Sequence, residues 1–271
     1  MKLLDIKNPF GAPVYHEENV SSTFDIARKL AGENAAHGTV ITADFQEAGR
    51  GRQGRSWITE KGKNLLFTIL LRYGDFSSVP KALTLRTGLA VSLGIDDALD
   101  DALPAMKREY MVEVKWPNDC MIGSRKIAGI LAESDGANVY IGVGINVAQR
   151  EFPPEYRAKA GSLIQFFPCL NESFRFFLLE KILLRLYKEI EQAVEENSWQ
   201  DRLSDRLYKK NEIVTFIPGA PDSEHTISGV LSGIGQGGEL LLIPEGETGV
   251  QAFSAGELRV YEEPAPSSAG S

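Results

Sequence analysis

The sequence predicts an α+β protein, a body with a mixed central sheet and flanking helices followed by a small β-barrel. Three observations carry that expectation. Residues 64–71, Asn-Leu-Leu-Phe-Thr-Ile-Leu-Leu, form an almost continuous apolar run, long enough for a strand buried on both faces. Between residues 173 and 195, Phe176, Phe177, Leu179, Ile182, Leu183, Leu186, Tyr187, Ile190 and Val194 recur at helical spacing and mark one long amphipathic helix. After Asn211 the pattern changes to five short strands divided by Gly- and Pro-rich turns, the signature of a small barrel appended to a larger body.

Taken in order, residues 22–31 form a short helix in which Phe24, Ala27, Leu30 and Ala31 share one face, with Ser22 as N-cap and Asp25 as its capping-box partner. Residues 38–45 are rich in β-branched side chains and read as a strand. That strand runs directly into Gly49-Arg50-Gly51-Arg52-Gln53-Gly54-Arg55-Ser56-Trp57. The apolar run 64–71 belongs at the sheet centre. Pro80 opens a helix to about Leu99, whose small residues Ala82, Gly88, Ala90, Ser92 and Gly94 allow close packing on the sheet. Strands follow at 112–115, 127–134 and 139–147. The barrel strands fall at 212–217, 226–234, 239–243, 249–253 and 258–261, and the Pro- and Ser-rich tail is predicted to be disordered.

A chain of 271 residues can bury a sizeable core, and 43% hydrophobic with 24% charged residues is the composition of a globular protein. The formal net charge of -8 argues against a protein that wraps nucleic acid or lies on anionic lipid. Cys120 and Cys169 are too few for a disulfide framework, and they and the three histidines lack metal-ligand spacing. A reduced, cytoplasmic setting fits. No apolar span of membrane length occurs, and the N-terminus has no export signal.

Against that acidic background, three glycines and three arginines in nine residues stand out. Gly49, Gly51 and Gly54 match G-x-G-x-x-G, but the segment leads through a polar turn into another strand rather than opening a helix, which excludes a dinucleotide-binding loop. Kinase partner motifs and a Walker lysine are absent. What remains is a loop whose glycines let backbone approach a ligand and whose guanidiniums fork onto phosphate or carboxylate oxygens. A loose, solvated or RNA-binding arginine-glycine segment is the alternative. In Lys115-Trp116-Pro117-Asn118-Asp119, proline stops a strand and leaves two oxygen ligands for Mg²⁺ at its end, or simply an Asn-Asp turn. Lys126 enters an apolar strand, either drawn to a buried anion or guarding a sheet edge. Gly142 and Gly144 remove side chains beside something that needs space. Asn146 then reads a base edge or caps the strand, and Ser22 is most simply a helix cap.

Together, S-S-T, Q-x-A-G-R-G-R-x-G-R-x-W, K-W-P-N-D, R-K-I-A-G-I-L and G-x-G-I-N appear in the order in which biotin protein ligases carry them, and the chain resembles that family over about residues 20–262. The resemblance implies an SH2-like catalytic domain over residues 1–210 that binds biotin and ATP, an SH3-like barrel over 211–262 and a tail at 263–271. About twenty residues precede the Ser22-Thr23 motif, too few for the winged helix of the family's repressors, so the ligase-only form without nucleic-acid binding is expected. Phe24 departs from the polar residue that relatives often carry, and apolar packing replaces that contact. Whether two copies pair to a homodimer is left open, since a dimerising sheet edge has no signature in the sequence.

The family's chemistry is formation of biotinyl-5'-AMP from biotin and MgATP, then transfer of biotin to a lysine of a biotin-carrier domain of a carboxylase. By resemblance, Arg50, Arg52 and Lys126 are catalytic. Ser22, Thr23, Gln46, Gly49, Arg50, Lys126 and Gly129 bind biotin; Arg52, Arg55, Trp57 and Asn146 bind ATP or the adenylate; Asn118 and Asp119 hold Mg²⁺. The glycines imply a loop that is disordered when empty and folded over the bound ligand. A lipoate or octanoate ligase on the same scaffold and a non-catalytic RNA-binding protein are the alternatives.

Overall fold

The computed structural model describes residues 1–106, 109–136, 138–192, 198–219 and 225–259. The predicted tail lies outside them, as do the ends of the long helix and of the last strand. In chain order the elements are β1 (Lys2–Leu4), β2 (Val14–Val20), α1 (Thr23–Gly32), β3 (Thr39–Gln46), β4 (Leu65–Arg72), α2 (Leu83–Ala102), β5 (Glu113–Lys115), β6 (Asp119–Ile122), β7 (Arg125–Asp135), β8 (Asn138–Ile145), α3 (Leu163–Phe166), α4 (Phe174–Ile190), α5 (Ser198–Ser204), β9 (Ile213–Pro218), β10 (Ile227–Ile234), β11 (Leu240–Pro244), β12 (Gln251–Phe253) and β13 (Gly256–Arg259).

The first eight strands form one mixed sheet in the order β1-β2-β3-β4-β8-β7-β6-β5, in which β2 and β3 are parallel and the other neighbours antiparallel. The apolar run of β4 lies at its centre, and the strand's two-residue period sorts its side chains onto two cores. Leu65, Phe67, Ile69 and Leu71 enter the larger core with Val143 and Ile145 of β8 and with Val91, Ile95, Leu178 and Ile182 of α2 and α4. Leu70 faces the other way, towards Ile41, Tyr140 and the α1 residues Phe24, Ala27 and Leu30. One sheet face is thus covered by two long helices. The opposite face is covered by α1 over β3, β4 and β8, while the arginine segment lies over β7 and β8.

The small residues of α2 serve two neighbours rather than the sheet alone. A Cβ at Gly88 would come 3.1 Å from Val114, but at Gly94 it would meet Ile182 of α4, 2.9 Å from that residue's Cα. Backbone cannot step aside as a side chain can, so Gly94→Ala is expected to lower stability by about 1–3 kcal/mol, read as a reduced urea midpoint with an unchanged slope.

The last five strands form an antiparallel sheet in the order β12-β11-β10-β9-β13. Its end strands are joined only by Ser254 and Ala255. Four strand spacings would put the ends about 19 Å apart in a flat sheet, whereas three residue steps span at most about 11 Å. The sheet must therefore curl towards closure, which is the predicted barrel. Its core of Val214, Phe216, Leu231, Leu240, Leu242 and Leu258 is continuous with Leu85, Leu89, Trp116 and Trp199, so the barrel is seated on the body by apolar contact.

Several elements differ from expectation. The long helix begins at Leu83, not at Pro80; Ala82 takes a left-handed conformation (φ 53°) where it abuts Gly238 of the β10–β11 turn. Asp25 does not complete a capping box. Its side chain is one methylene shorter than glutamate and instead accepts a hydrogen bond from Arg50. β1, β6 and α3 are three or four residues long and carry no readable period, and β2 holds His16, Glu17, Glu18 and Asn19 in a strand the sequence does not announce. The seven-residue α5 was likewise not predicted.

Candidate active site

The segment 49–57 is a small hairpin. Gly51 N–H donates to Arg55 O (2.7 Å), Trp57 N–H donates to Gly49 O (2.9 Å), and Arg50 bridges Ser56. The tip turns through Gln53 (φ 56°) and Gly54 (φ 72°), both left-handed. A Cβ on Gly49 would lie 2.5 Å from Trp57 O, so the hairpin base closes only on glycine. Each guanidinium has its own partner: Arg50 donates to Asp25 on α1, Arg52 donates to Asn118 Oδ1 (3.0 Å), and Arg55 pairs with Glu257 on β13. Three mutually repelling cations can therefore share one hairpin, because α1, the β5–β6 turn and the barrel each supply an acceptor.

Beneath the hairpin, Gly129 of β7 and Gly144 of β8 are registered opposite each other and form a bare floor. The Trp57 indole lies on it: a Cβ at Gly129 would come 2.8 Å from the ring and one at Gly144 2.5 Å. Phe24 occupies the space above Gly142 in the same way. These two rings are what the glycine spacing of β8 accommodates. Lys126 Nζ sits 5.4 Å from the Trp57 ring centre and 2.6 Å from Asp119 Oδ1. β7 is flanked by β6 and β8, which removes the edge-guarding explanation of this lysine. Asn118 ties three elements together. It donates to Ile130 O through its side-chain amide (2.9 Å), accepts Ile130 N–H through its carbonyl (2.9 Å) and holds Arg52. The Trp116–Pro117 bond before it is cis.

A polar corner adjoins the floor. Gln46, the last residue of β3, accepts from Thr23 N–H (2.8 Å) and Thr23 Oγ1 (3.0 Å) and is 3.5 Å from Ser22 Oγ, while Thr23 Oγ1 also meets Thr68 Oγ1 at 2.7 Å. Ser22 caps α1, accepting from Phe24 N–H (3.3 Å). At the far end of β8, the buried Asn146 donates to Gly161 O (2.9 Å). Thr23, Gln46, Arg50, Arg52, Arg55, Trp57, Asn118, Asp119, Lys126, Gly129 and Asn146 all line one cavity of about 550 Å³, within the size of small-molecule sites. Ser22 lies behind Thr23, and Gly49 faces a second cleft of about 770 Å³ on the other side of the hairpin.

The cavity's electrostatics invert those of the whole chain. Seven basic side chains line it against three acidic ones, in a protein of net charge -8. Burial lowers the pKa of the Arg52 guanidinium, with Asp119 and Glu257 opposing the shift. Arg55 is raised by its hydrogen bond to Glu257; burial pushes the Glu257 carboxyl up, but Arg55 brings it below its usual value. An anion entering here meets cations already short of counter-charge. Among the described residues no group of three or more His, Cys, Asp or Glu side chains could hold a metal ion. Asn118 and Asp119, the pair that the sequence suggests for Mg²⁺, face Arg52 and Lys126 respectively. Such a donor set suits magnesium carried in on phosphate oxygens, not a resident ion.

The model of the biotin/lipoate A/B protein ligase family matches residues 18–146, the stretch that holds the corner, the hairpin, the floor and Asn146. A biotin protein ligase from Aquifex aeolicus, solved in complex with biotin and ATP, superposes with a TM-score of 0.70 at 28% identity, over 91% of this chain and 97% of that one. The chain belongs to the biotin/lipoate A/B protein ligase family. Within this ligase family, the Mycobacterium tuberculosis biotin--[acetyl-CoA-carboxylase] ligase is 29% identical over 246 residues, 88% of this chain and 85% of its own length. The Bacillus subtilis bifunctional ligase/repressor BirA is 37% identical over 159 residues, 56% of this chain but 46% of its own length, so the match spans about half of that relative. A Leishmania major biotin protein ligase in complex with biotinyl-5-AMP has a TM-score of 0.60 at 25% identity, over 89% of this chain and 98% of that one.

Three residues of this family member's site went unassigned from sequence. Asp25 reads as a cap and Glu257 lies 202 positions from the arginine it binds, so neither leaves a local signal. Lys115 stands inside the K-W-P-N-D motif, where alternation along a three-residue strand is too short to tell which face it takes.

Proposed function

We propose that the chain is a biotin protein ligase that converts biotin and MgATP to biotinyl-5'-AMP and pyrophosphate, then passes biotin to a lysine of a biotin-carrier domain of a biotin-dependent carboxylase. The observation that carries this reading is convergence: Arg50, Arg52, Arg55 and Lys126 line the same cavity as the Thr23–Gln46 corner. A neutral hydrogen-bonding end joined to a strongly cationic end suits a ligand with a ureido head and a carboxylate that must meet a phosphate. The relatives named above as complexes with biotin, ATP or biotinyl-5-AMP support it.

In this reading Ser22, Thr23 and Gln46 hold the ureido group, and Gly49 and Gly129 let backbone and floor approach the ring system. The first step joins a carboxylate oxygen to the α-phosphorus and expels pyrophosphate, so two anions must be held in line despite repulsion. Lys126 and Arg50 neutralise the carboxylate and the α-phosphate, and Arg52 and Arg55 close over the phosphates. Trp57 and Asn146 flank the adenosine; the Trp57 indole N–H is buried without a hydrogen-bond partner and is free to donate. Asp119 would be the carboxylate nearest to magnesium carried on ATP, which would screen the phosphates, and Asn118 stays on Arg52. In the second step the carrier lysine's amine attacks the anhydride carbonyl and AMP leaves. Residues 1–210 carry the reaction and 211–262 contribute Glu257. No helix among the described residues is long and apolar enough to cross a membrane, and both cysteines are unpaired; the cytoplasm is the compartment proposed.

The test is transfer. Incubated with biotin, MgATP and a biotin-carrier domain, the chain is expected to add one biotin to the carrier, read by mass. Equal or better modification with lipoate or octanoate would reassign the substrate. Salt-sensitive RNA binding with no modification of any carrier would overturn the ligase reading.

A further inference from the structure

Lys115 ends β5 immediately before the Trp116–Pro117 corner. It is only 8% exposed, yet it lines the 550 Å³ cavity, and among the described residues its side chain has no hydrogen bond or ion pair. Arg50, Arg52, Arg55 and Lys126 each have a partner in Asp25, Asn118, Glu257 and Asp119. A lysine side chain that is largely buried and unpaired is costly to keep charged. Burial accordingly lowers its pKa, with Asp119 and Glu257 opposing and Lys126 and Arg55 adding to the shift. Lys115 is thus a buried cation at the cavity wall to which the described residues supply no direct partner.

The sheet says where along a ligand that cation falls. From the polar corner, strand order runs through Gly144 on β8, Lys126 and Gly129 on β7 and Asp119 on β6 to Lys115 on β5, which is paired with Asp119 in register. Glu257 of the barrel, which holds Arg55, lines the same cavity. If the carboxylate and α-phosphate meet at Lys126, the phosphates that extend away from the corner reach Lys115. We propose that Lys115 binds the β- and γ-phosphates of the nucleotide and holds the pyrophosphate as it leaves. This rests on the ligase reading and adds a phosphate subsite to it.

The probe is magnesium pyrophosphate, titrated calorimetrically into the full chain. Lys115→Met keeps the aliphatic stem and removes the charge, and is expected to weaken pyrophosphate binding by about tenfold to a hundredfold. The KM for ATP in biotin-dependent pyrophosphate exchange should rise similarly, while biotin affinity and Tm hold or Tm rises, since a desolvated charge is gone. Lys115→Arg should recover part of the loss. Pyrophosphate binding by Lys115→Met equal to wild type would overturn the assignment, as would an equal loss of biotin and pyrophosphate affinity with a lowered Tm, which marks a structural role. Failure of the ligase reading looks different: wild type would show no biotin-dependent exchange, yet pyrophosphate binding would still depend on Lys115.

Discussion

Lys126→Ala is expected to slow adenylation by about a hundredfold to a thousandfold, the usual cost of removing one preorganised charge from a reacting centre. Biotin binding should fall much less, because the charge the lysine neutralises builds fully only as carboxylate and phosphate approach. The ammonium is held in advance, 2.6 Å from Asp119 and against the Trp57 ring. Deleting it also leaves Asp119 facing the incoming anions without a counter-charge, a penalty distinct from lost catalysis. Pairing the change with Asp119→Asn separates the two: the double variant should recover the part due to the orphaned carboxylate and no more. Calorimetry for biotin and pyrophosphate release for adenylation measure the two steps. A near-normal adenylation rate in Lys126→Ala would remove this lysine from the chemistry.

Arg52→Gly is expected to act on the opposite step. Its guanidinium ties the hairpin to Asn118, which is itself clamped on Ile130, so the side chain couples the hairpin to the floor. Without it the hairpin keeps its backbone bonds but loses its anchor on the β5–β6 turn. Adenylation should partly survive, while biotinyl-5'-AMP escapes about tenfold to a hundredfold faster, the loss expected for one charge-assisted contact. Release into a rapid-filtration eluate after a single turnover measures it. Retention equal to wild type would place the hold on the intermediate elsewhere, with Arg50 or Arg55.

What could be read from the sequence follows from how far apart the interacting residues lie. The β4 run and the α4 helix each encode burial within one element, and both elements appear where periodicity places them. On α4, however, Phe177 is exposed while Leu178, outside the expected stripe, is buried, and Val194 lies outside the described residues. The five barrel strands are separated by turns that glycine and proline announce. The arginine-glycine segment and K-W-P-N-D were legible as chemistry because dense cations and a proline-stopped strand are unusual locally. What pairs with them was not. Arg55 meets Glu257 across 202 residues and Arg52 meets Asn118 across 66, distances at which only the fold brings side chains together. The same limit hid Lys115, whose isolation is a property of all its neighbours at once.

The central claim is that this cavity makes and holds an acyl-adenylate. Its most direct test is mass spectrometry of the small molecules retained by the purified chain after incubation with biotin and MgATP and removal of free ligand. The account predicts biotinyl-5'-AMP bound to the protein, with pyrophosphate released only when biotin is present. Retention of unreacted ATP and biotin, with no adenylate and no pyrophosphate, would contradict it.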